Sequence, residues 1–279
     1  MERKLLLKII LMQLAIISIS FAGCSKEDST TTPTSDIPEI PGYTLVWNDE
    51  FTAANIDLTK WEHEVNGDGG GNNELQYYTN LPTNSFIENG HLVIKAIYED
   101  YQSRDFTSAR MRTKYKGDWL YGRIEVVAKI PAGRGTWPAI WMLPTDWEYG
   151  NWPSSGEIDI MEHVGYDPNV IHGSIHTLAY NHTIGTQKTA LLTIPTAITS
   201  FHKYAIEWFE DHIDFFIDDT MYFTFTNENK DWQYWPFDKR FHLILNLAVG
   251  GNWGGAEGID VAAFPAQMEV DYVRVYKKN

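Results

Sequence analysis

Three acidic residues fall within one short apolar stretch of the chain, and their spacing suggests chemistry. They are Glu157, Asp159 and Glu162. Side chains at i and i+2 of a β-strand share a face, so Glu157 and Asp159 should point the same way. Glu162 follows Glu157 by an odd number of residues and should face away. An inserted residue near Ile160 or Met161 would form a β-bulge and return Glu162 to the acidic face.

Three carboxyls on one sheet face would repel one another, which raises the pKa of at least one while another stays ionised. Glycoside hydrolysis uses a pair of carboxyls of this kind, one ionised and one protonated. One carboxylate attacks the anomeric carbon, and a protonated carboxyl about 5 to 5.5 Å away delivers a proton to the departing sugar oxygen in a retaining enzyme. The alternative is a solvated outer strand face, because a short acidic pattern alone occurs without catalysis.

Composition limits the classes of molecule that the protein is expected to bind. The chain has 279 residues, enough for one large domain or two small ones, and aromatic residues make up 14% of it. Flat rings stack on the apolar faces of sugars, although core packing also uses them. The formal net charge of −15 argues against nucleic acid, anionic membrane surfaces and strongly anionic polysaccharides. A neutral glycan is the expected partner.

The N-terminal segment has the pattern of an export signal. Residues 1–23 combine basic residues with an apolar stretch, and Cys24 follows a small Ala-Gly pair, as in the lipobox of bacterial lipoproteins. We expect lipidation of Cys24, attachment to the outer membrane and exposure at the cell surface. Ordinary cleavage that leaves a free thiol is the alternative. Residues 24–41 are rich in Ser, Thr and Pro and predict a flexible tether.

Residues 42–279 predict one all-β domain. Short runs of β-branched and aromatic residues are separated by Gly, Pro, Asn and Asp, and no long helical period follows the signal. The economical architecture is a sandwich of two antiparallel sheets, which we expect to act as a monomer. The predicted strands are 91–96, 108–113, 123–130, 204–209, 212–217, 221–226, 241–249 and 268–276.

Several longer motifs occur in order along this domain and resemble glycoside hydrolase family 16, especially its bacterial laminarinases. The motifs are NNELQYY (72–78), GTWPAIWMLP (135–144), GEIDIME (156–162), HGSIHT (172–177) and DYVRVY (271–276). The resemblance implies a β-jelly-roll with an open concave cleft, hydrolysis of β-1,3-glucan with retained configuration, and no cofactor for catalysis. It also places the chain with the members that carry an extra residue, here Met161.

The same resemblance implies roles for the acids. Glu157 would be the nucleophile, Glu162 the acid that later serves as base, and Asp159 the carboxyl that holds and tunes its neighbours. From the residues alone, Asp159 between two glutamates can share a proton with one of them, so its titration belongs to the cluster.

Aromatic residues are the main candidates for sugar contact. Trp137 and Trp141 are four residues apart and share a strand face, where they would form either a platform for sugar rings or a buried core pair. The resemblance favours the platform. Trp253 lies in a glycine-rich loop, which favours the cleft over the core.

Polar candidates for the cleft are less specific. Arg110 and Asn73 match family positions that hydrogen-bond sugar hydroxyls, but either could be a structural residue. His172 and His176 would share a strand face. We expect His176 to touch substrate and His172 to pack, and we reject a zinc site because no third ligand motif accompanies them.

Some members of the family hold a structural calcium ion far from the cleft. By position, the ligands here would be the Asp271 carboxylate with the main-chain oxygens of Glu50 and Gly90, and oxygen ligands suit Ca²⁺.

Two other functions remain open from the sequence. One is an agarase or porphyranase of the same family. The other is a surface glycan-binding lipoprotein that performs no chemistry.

Overall fold

The computed structural model describes residues 37–279. Cys24 and the predicted leader lie outside the described residues, as does most of the tether. Residues 39–279 form one compact unit. No helix within the described part of the chain is long and apolar enough to span a bilayer.

The described residues form eighteen β-strands, one four-residue α-helix and two short 3₁₀ turns. The strands are β1 (Tyr43–Asp49), β2 (Glu62–His63), β3 (Gln76–Tyr78), β4 (Ser85–Glu88), β5 (His91–Tyr101), β6 (Arg104–Ser108), β7 (Arg110–Arg112), β8 (Asp118–Trp119), β9 (Gly122–Lys129), β10 (Thr136–Pro144), β11 (Glu157–Glu162), β12 (Val170–His176), β13 (Lys188–Thr193), β14 (His202–Trp208), β15 (His212–Ile217), β16 (Thr220–Thr226), β17 (Phe241–Val249) and β18 (Ala266–Lys278). The helix α1 is Gly251–Gly254, and the 3₁₀ turns are His182–Ile184 and Val261–Ala263.

Two sheets share these strands. The ten-stranded sheet runs in the order β16-β15-β14-β9-β18-β5-β6-β3, with β1 beside β18 and β4 beside β5. The eight-stranded sheet runs β13-β12-β11-β10-β17-β7-β2, with β8 beside β17. The predicted all-β sandwich is confirmed. Each predicted strand segment overlaps a strand, although 108–113 covers the end of β6 and the separate strand β7.

One pair departs from the antiparallel rule. The short edge strand β3 runs parallel to β6. No tight hairpin joins these two strands, because β4 and β5 lie between them in the chain. Their relative direction is therefore not fixed by a turn.

The core lies between the two sheets and is built from alternating apolar side chains. Strand β17 is buried along its whole length. It lies between β10 and β7 in the eight-stranded sheet, so both of its edges are paired. Trp61 and Trp208 are fully buried. The eight-stranded sheet turns its other face to a cleft.

Candidate active site

Strand β11 carries an extra residue at the position predicted from the sequence. Across from it on β12, Asp159 pairs with Ser174 and Glu162 pairs with His172. Three steps along β11 therefore match two steps along β12, and two residues of β11 face Gly173 alone. This is the two-against-one pattern of a β-bulge.

The two residues inside the bulge both point into the core. Ile160 is 1% exposed and Met161 is fully buried. On the other side of β11, Met161 pairs with Ile140, whereas Ile160 is passed over. The predicted bulge is confirmed, and it returns Glu162 to the face of the sheet that carries Glu157.

The three acids line one cleft of about 770 Å³ over the eight-stranded sheet. The cleft also receives side chains from β7, β10, β12, β13 and β17, and from the loops that precede β3 and follow β17. Glu157, Asp159 and Glu162 are therefore together on the cleft side, and none of them faces the core. A solvated outer strand face does not describe this arrangement, because Asp159 is only 2% exposed.

Burial dominates the titration of the acids. Burial, and after it the nearby Asp159, raise the pKa of Glu157 to about 8. The pKa of Glu162 is also raised to about 8, by burial and then by Asp159. Burial raises the pKa of Asp159 well above its ordinary value. The cluster therefore holds protons at neutral pH, as a proton donor for catalysis requires.

Different groups stabilise charge at the two glutamates. His176 and a hydrogen bond from Trp152 lower the pKa of Glu157 against the effect of burial. The indole Nε1 of Trp137 donates to Glu162 Oε1 at 3.0 Å. His176 Nε2 lies 3.2 Å from Asp159 Oδ2 and 3.7 Å from Glu157 Oε1. The imidazole thus supports negative charge on the Glu157 side, where a nucleophile must be ionised.

We expect Glu157→Gln to stabilise the folded protein at alkaline pH. The folded-state pKa of Glu157 is about 8, against an ordinary value of 4.5. Unfolding therefore releases a proton between these pH values, and stability falls as pH rises through this window. Glutamine removes that loss, so the free energy of unfolding should rise by roughly 5 kcal/mol at pH 9 and change little at pH 4. Denaturant unfolding at both pH values measures this.

The exposed Glu88 supplies the control for that experiment. Glu88→Gln should leave the stability unchanged at both pH values, since its side chain is exposed and surface substitutions of this kind have small effects. Equal stability of Glu157→Gln and wild type at pH 9 would contradict the raised pKa.

The predicted tryptophans reach the cleft and are held by hydrogen bonds or ring contacts. Trp137 and Trp141, both half-buried on β10, line the cleft with Trp253 of α1. Trp141 Nε1 donates to Asn246 Oδ1 at 2.7 Å. The rings of Trp137 and Trp253 meet edge to face, with centroids 5.4 Å apart. The buried core pair is excluded, and anchored rings of this kind can stack on sugars.

Arg110 combines the two roles that the sequence left open. Its guanidinium lies over the Trp141 ring, 4.7 Å from the centroid, and it lines the cleft. Its Nε is 3.2 Å from Glu64 Oε2, but the buried Nε–H makes no well-aligned hydrogen bond with a described residue. Arg110 therefore packs against the Trp141 ring and holds it in place.

Asn73 lies beside the cleft and does not line it. Its backbone is left-handed, with φ of 57°, and its Nδ2 donates to Asn252 Oδ1 at 2.9 Å. Asn72 and Asn252 are the asparagines that line the cleft. The left-handed turn directs the Asn73 amide to the neighbouring loop, and its predicted hydrogen bond with sugar stays a prediction.

Sequence reasoning missed a fourth carboxyl, Glu74, which is buried at the cleft wall. Its Oε2 accepts hydrogen bonds from Gln76 Nε2 at 2.7 Å and from the Tyr78 hydroxyl at 3.2 Å. The Tyr78 hydroxyl in turn accepts from Asn246 Nδ2 at 3.1 Å. Because Asn246 also accepts a hydrogen bond from Trp141, a chain of hydrogen bonds connects Glu74 with Trp141.

We expect Glu74→Gln to move the alkaline limb of the pH profile to lower pH. The charge of Glu74 is one of the influences that raise the pKa of Glu162, so its removal should let Glu162 lose its proton earlier. Activity near pH 6 should fall no more than about fivefold, since the platform keeps its shape. The profile of kcat/KM against pH is the measurement. Tyr78→Phe, which breaks the hydrogen bond and keeps the charge, should leave the limb in place.

Trp152 and His182 were also missed, and both line the cleft on the Glu157 side. Their rings have centroids 5.0 Å apart. Trp152 lies in the loop between β10 and β11, and His182 in a 3₁₀ turn. No spacing rule connects such positions with β11. The Trp-Pro pair at 152–153 was the available signal, since a loop tryptophan has little reason to be buried.

His172 and His176 do not act as a pair. His172 packs edge to face on Trp253, with centroids 4.9 Å apart, as expected. His176 instead joins Glu157 and Asp159, and one ligand atom from each lies within 4.8 Å of the others. These three residues could hold a metal ion. In that position an ion would occupy the groups that the hydrolysis needs.

None of the residues predicted to bind calcium lines the cleft: Glu50 and Gly90 lie next to strand ends, and Asp271 lies within β18. The Glu50 carboxylate is engaged by Arg274, with contacts of 3.0 and 2.8 Å, which leaves its main-chain oxygen as the candidate donor. Gly90 occupies the turn between β4 and β5, with φ of 80°. Asp271 Oδ1 lies 3.4 Å from His91 Nε2. One carboxylate with main-chain oxygens has the chemistry that Ca²⁺ accepts.

Comparisons with known proteins agree with this geometry. The model of glycosyl hydrolases family 16 matches residues 73–274. A beta-glucanase of Rhodothermus marinus is 50% identical over 97% of this chain and 96% of its own length.

Solved structures agree as well. The laminarinase from Rhodothermus marinus superposes with a TM-score of 0.83 at 53% identity, covering 86% of this chain and 99% of that one. The laminarinase from Flavobacterium sp. UMI-01 gives a TM-score of 0.78 at 40% identity, covering 84% of this chain and 100% of that one. The chain belongs to glycosyl hydrolase family 16.

Proposed function

We propose that this protein is a retaining endo-β-1,3-glucanase of the laminarinase type, which also accepts mixed β-1,3/1,4 glucans. The observation that carries the proposal is the bulged strand β11, which presents Glu157, Asp159 and Glu162 to one open cleft. An open cleft admits the middle of a polymer, so cleavage is internal. The likeness to laminarinases supplies the substrate.

The reaction follows from the placement of the acids. Glu157 attacks the anomeric carbon, while Glu162 gives its proton to the leaving oxygen, and a covalent glycosyl-enzyme forms. Glu162, now ionised, takes a proton from water, which attacks the same carbon and releases the sugar with its original configuration. Asp159 is coupled to both glutamates, so it takes up part of the change in charge as the proton leaves Glu162 and returns.

Reducing-sugar release from laminarin, lichenan and agarose, measured side by side, tests the proposal. We expect the highest kcat/KM on laminarin, lower activity on lichenan and none on agarose. The anomeric configuration of the first product, followed by NMR, should be β. A preference for agarose, or an α product, would contradict the assignment.

The cleft favours a neutral substrate over a sulfated one. Among the described residues that line it, Arg110 is the one Arg or Lys, and its charge faces Glu64. Sulfate recognition needs unpaired cationic donors. A pure binder is disfavoured for another reason, since three buried acids destabilise a protein that makes no use of them.

We also propose that the chain is an exported lipoprotein anchored through Cys24. The support is the sequence of the leader alone. Growth of cells with labelled palmitate should label the protein, and Cys24→Ser should abolish the label. Protease treatment of intact cells would then test exposure at the surface.

Structural calcium at Asp271, Glu50 and Gly90 is the last part of the proposal. We expect added Ca²⁺ to raise Tm by a few degrees, since binding to the folded state alone stabilises it, and EDTA to reverse the gain. Asp271→Asn should remove the response without changing kcat. An equal response in this variant would exclude the site.

A further inference from the structure

A second concavity, of about 250 Å³, lies outside the cleft and shares no lining residue with it. Its walls come from loops after β8, β10, β14 and β16. We call it the aromatic pocket. Its lining residues are Tyr121, Tyr149, Glu210, Asn227, Lys230, Trp232, Trp235 and Asp238.

Two rings of the aromatic pocket stack on each other. Tyr149 and Trp232 are stacked, with centroids 5.4 Å apart and planes only 5° from parallel. Trp232 is 36% exposed, which is unusual for so large an apolar side chain. Tyr149 holds the Trp232 ring in place, and the partly exposed indole can contact the C–H face of a sugar ring.

The aromatic pocket also carries hydrogen-bonding groups. Trp235 is 6% exposed, and its indole N–H has no acceptor among the described residues. A buried donor without an acceptor is unfavourable, so a hydroxyl that enters the pocket gains by accepting from it. Glu210 supplies acceptor oxygens on the wall. Donor, acceptors and a flat ring together match a polyhydroxylated ligand.

Charge at the aromatic pocket indicates a neutral ligand. Lys230 is paired with Glu228, and Lys239 lies 3.7 Å from Asp238. The cations are therefore already compensated, and an anionic ligand would gain little from them.

One loop connects the aromatic pocket with the cleft. In the segment between β10 and β11, Trp147 and Trp152 line the cleft, whereas Tyr149 lines the aromatic pocket. The same loop thus offers rings to both concavities.

We propose that the aromatic pocket is a non-catalytic binding site for a neutral β-glucan segment, which holds the enzyme on long or insoluble chains. The choice of β-glucan as ligand rests on the proposed function, while the site itself rests on the rings and the unpartnered donor. Binding there does not touch the acids, so it changes attachment to the polymer and not the chemical step.

The test is Trp232→Ala, with Tyr98→Ala as matched control. Tyr98 is a 54% exposed aromatic residue that lines neither concavity. Binding to insoluble β-1,3-glucan is measured in a Glu157→Gln background, so that the polymer is not digested. We expect Trp232→Ala to weaken retention about fivefold, as loss of one stacking ring would. Tyr98→Ala should bind normally.

Kinetics with active Glu157 give a second measurement. Trp232→Ala should lower kcat/KM on the polymer by about the same factor and leave turnover of a β-1,3-linked tetrasaccharide unchanged. Glu210→Gln should show a weaker effect of the same kind. Normal retention of Trp232→Ala, or an equal loss on the tetrasaccharide, overturns the inference.

The outcomes separate this inference from the proposed function. If the wild-type protein cleaves β-1,3-glucan and Trp232→Ala retains full binding, the inference alone fails. If the wild type cleaves only agarose and Trp232→Ala weakens binding to agarose, the proposed function fails and the site stands for another neutral glycan.

Discussion

Replacing Glu157 by alanine is expected to lower kcat on β-1,3-glucan by roughly 10⁴-fold or more. Glu157 is the carboxyl beside His176 and Trp152, the two groups that favour its ionised form. Without it no covalent intermediate forms. Oligosaccharide affinity should change little, because Trp137, Trp141 and Trp253 still line the cleft. Steady-state kinetics and binding to an intact oligosaccharide measure the two effects separately.

Chemical rescue makes this prediction specific to the nucleophile. With an activated β-glycoside, azide can enter the space left by Glu157→Ala and attack the anomeric carbon directly, so the product should be the α-glycosyl azide. One displacement inverts the configuration, whereas two retain it. A β product from this variant would show that Glu157 is not the nucleophile. Glu88→Ala, an exposed site, serves as the control for folding and activity.

Glu162→Ala is expected to lower kcat/KM on glucan by about 10²- to 10⁴-fold, the range for loss of a general acid. A substrate with a good leaving group, such as a dinitrophenyl glycoside, needs no proton and should react nearly normally in its first step. Azide should then yield the β-glycosyl azide, because Glu157 still forms the covalent intermediate. Equal losses on both substrates would contradict the role of Glu162 as acid.

The pH profile offers a further check on Glu162. Its pKa of about 8 means that the wild type should lose activity as pH rises through this value, since the proton donor becomes ionised. In Glu162→Ala the alkaline limb should disappear when the activated substrate is used. A limb that persists unchanged would assign it to another group.

Much of the catalytic strand could be predicted because its sequence conflicts with simple alternation. Glu157 and Glu162 are five positions apart and cannot share a face of a regular strand. The apolar side chains of Ile160 and Met161 are both suited to the core. A bulge satisfies both demands. The strands of the sandwich could be predicted equally well, since β-branched and aromatic residues dominate β9, β14 and β17.

The cleft walls could not be predicted in the same way. Trp152 and His182 reach the acids from loops, whose paths depend on tertiary packing and not on residue periodicity. Glu74 lay within a recognised motif, yet only the fold shows that Tyr78 and Asn246 connect it with Trp141. Asn72 lines the cleft, whereas the left-handed backbone at Asn73 turns its amide to Asn252, and a sequence pattern does not reveal that turn.

The bulge in β11 has a consequence for how this strand tolerates changes in length. Removing Met161 would leave Glu, Ile, Asp, Ile and Glu in regular alternation, so all three acids would still share a face without any bulge. The core would lose one fully buried side chain and gain a void, which destabilises the fold by roughly 2 to 5 kcal/mol. A one-residue deletion here would therefore weaken the packing of the core but keep the three acids on one face. Strands with and without the extra residue can thus present the same arrangement of acids.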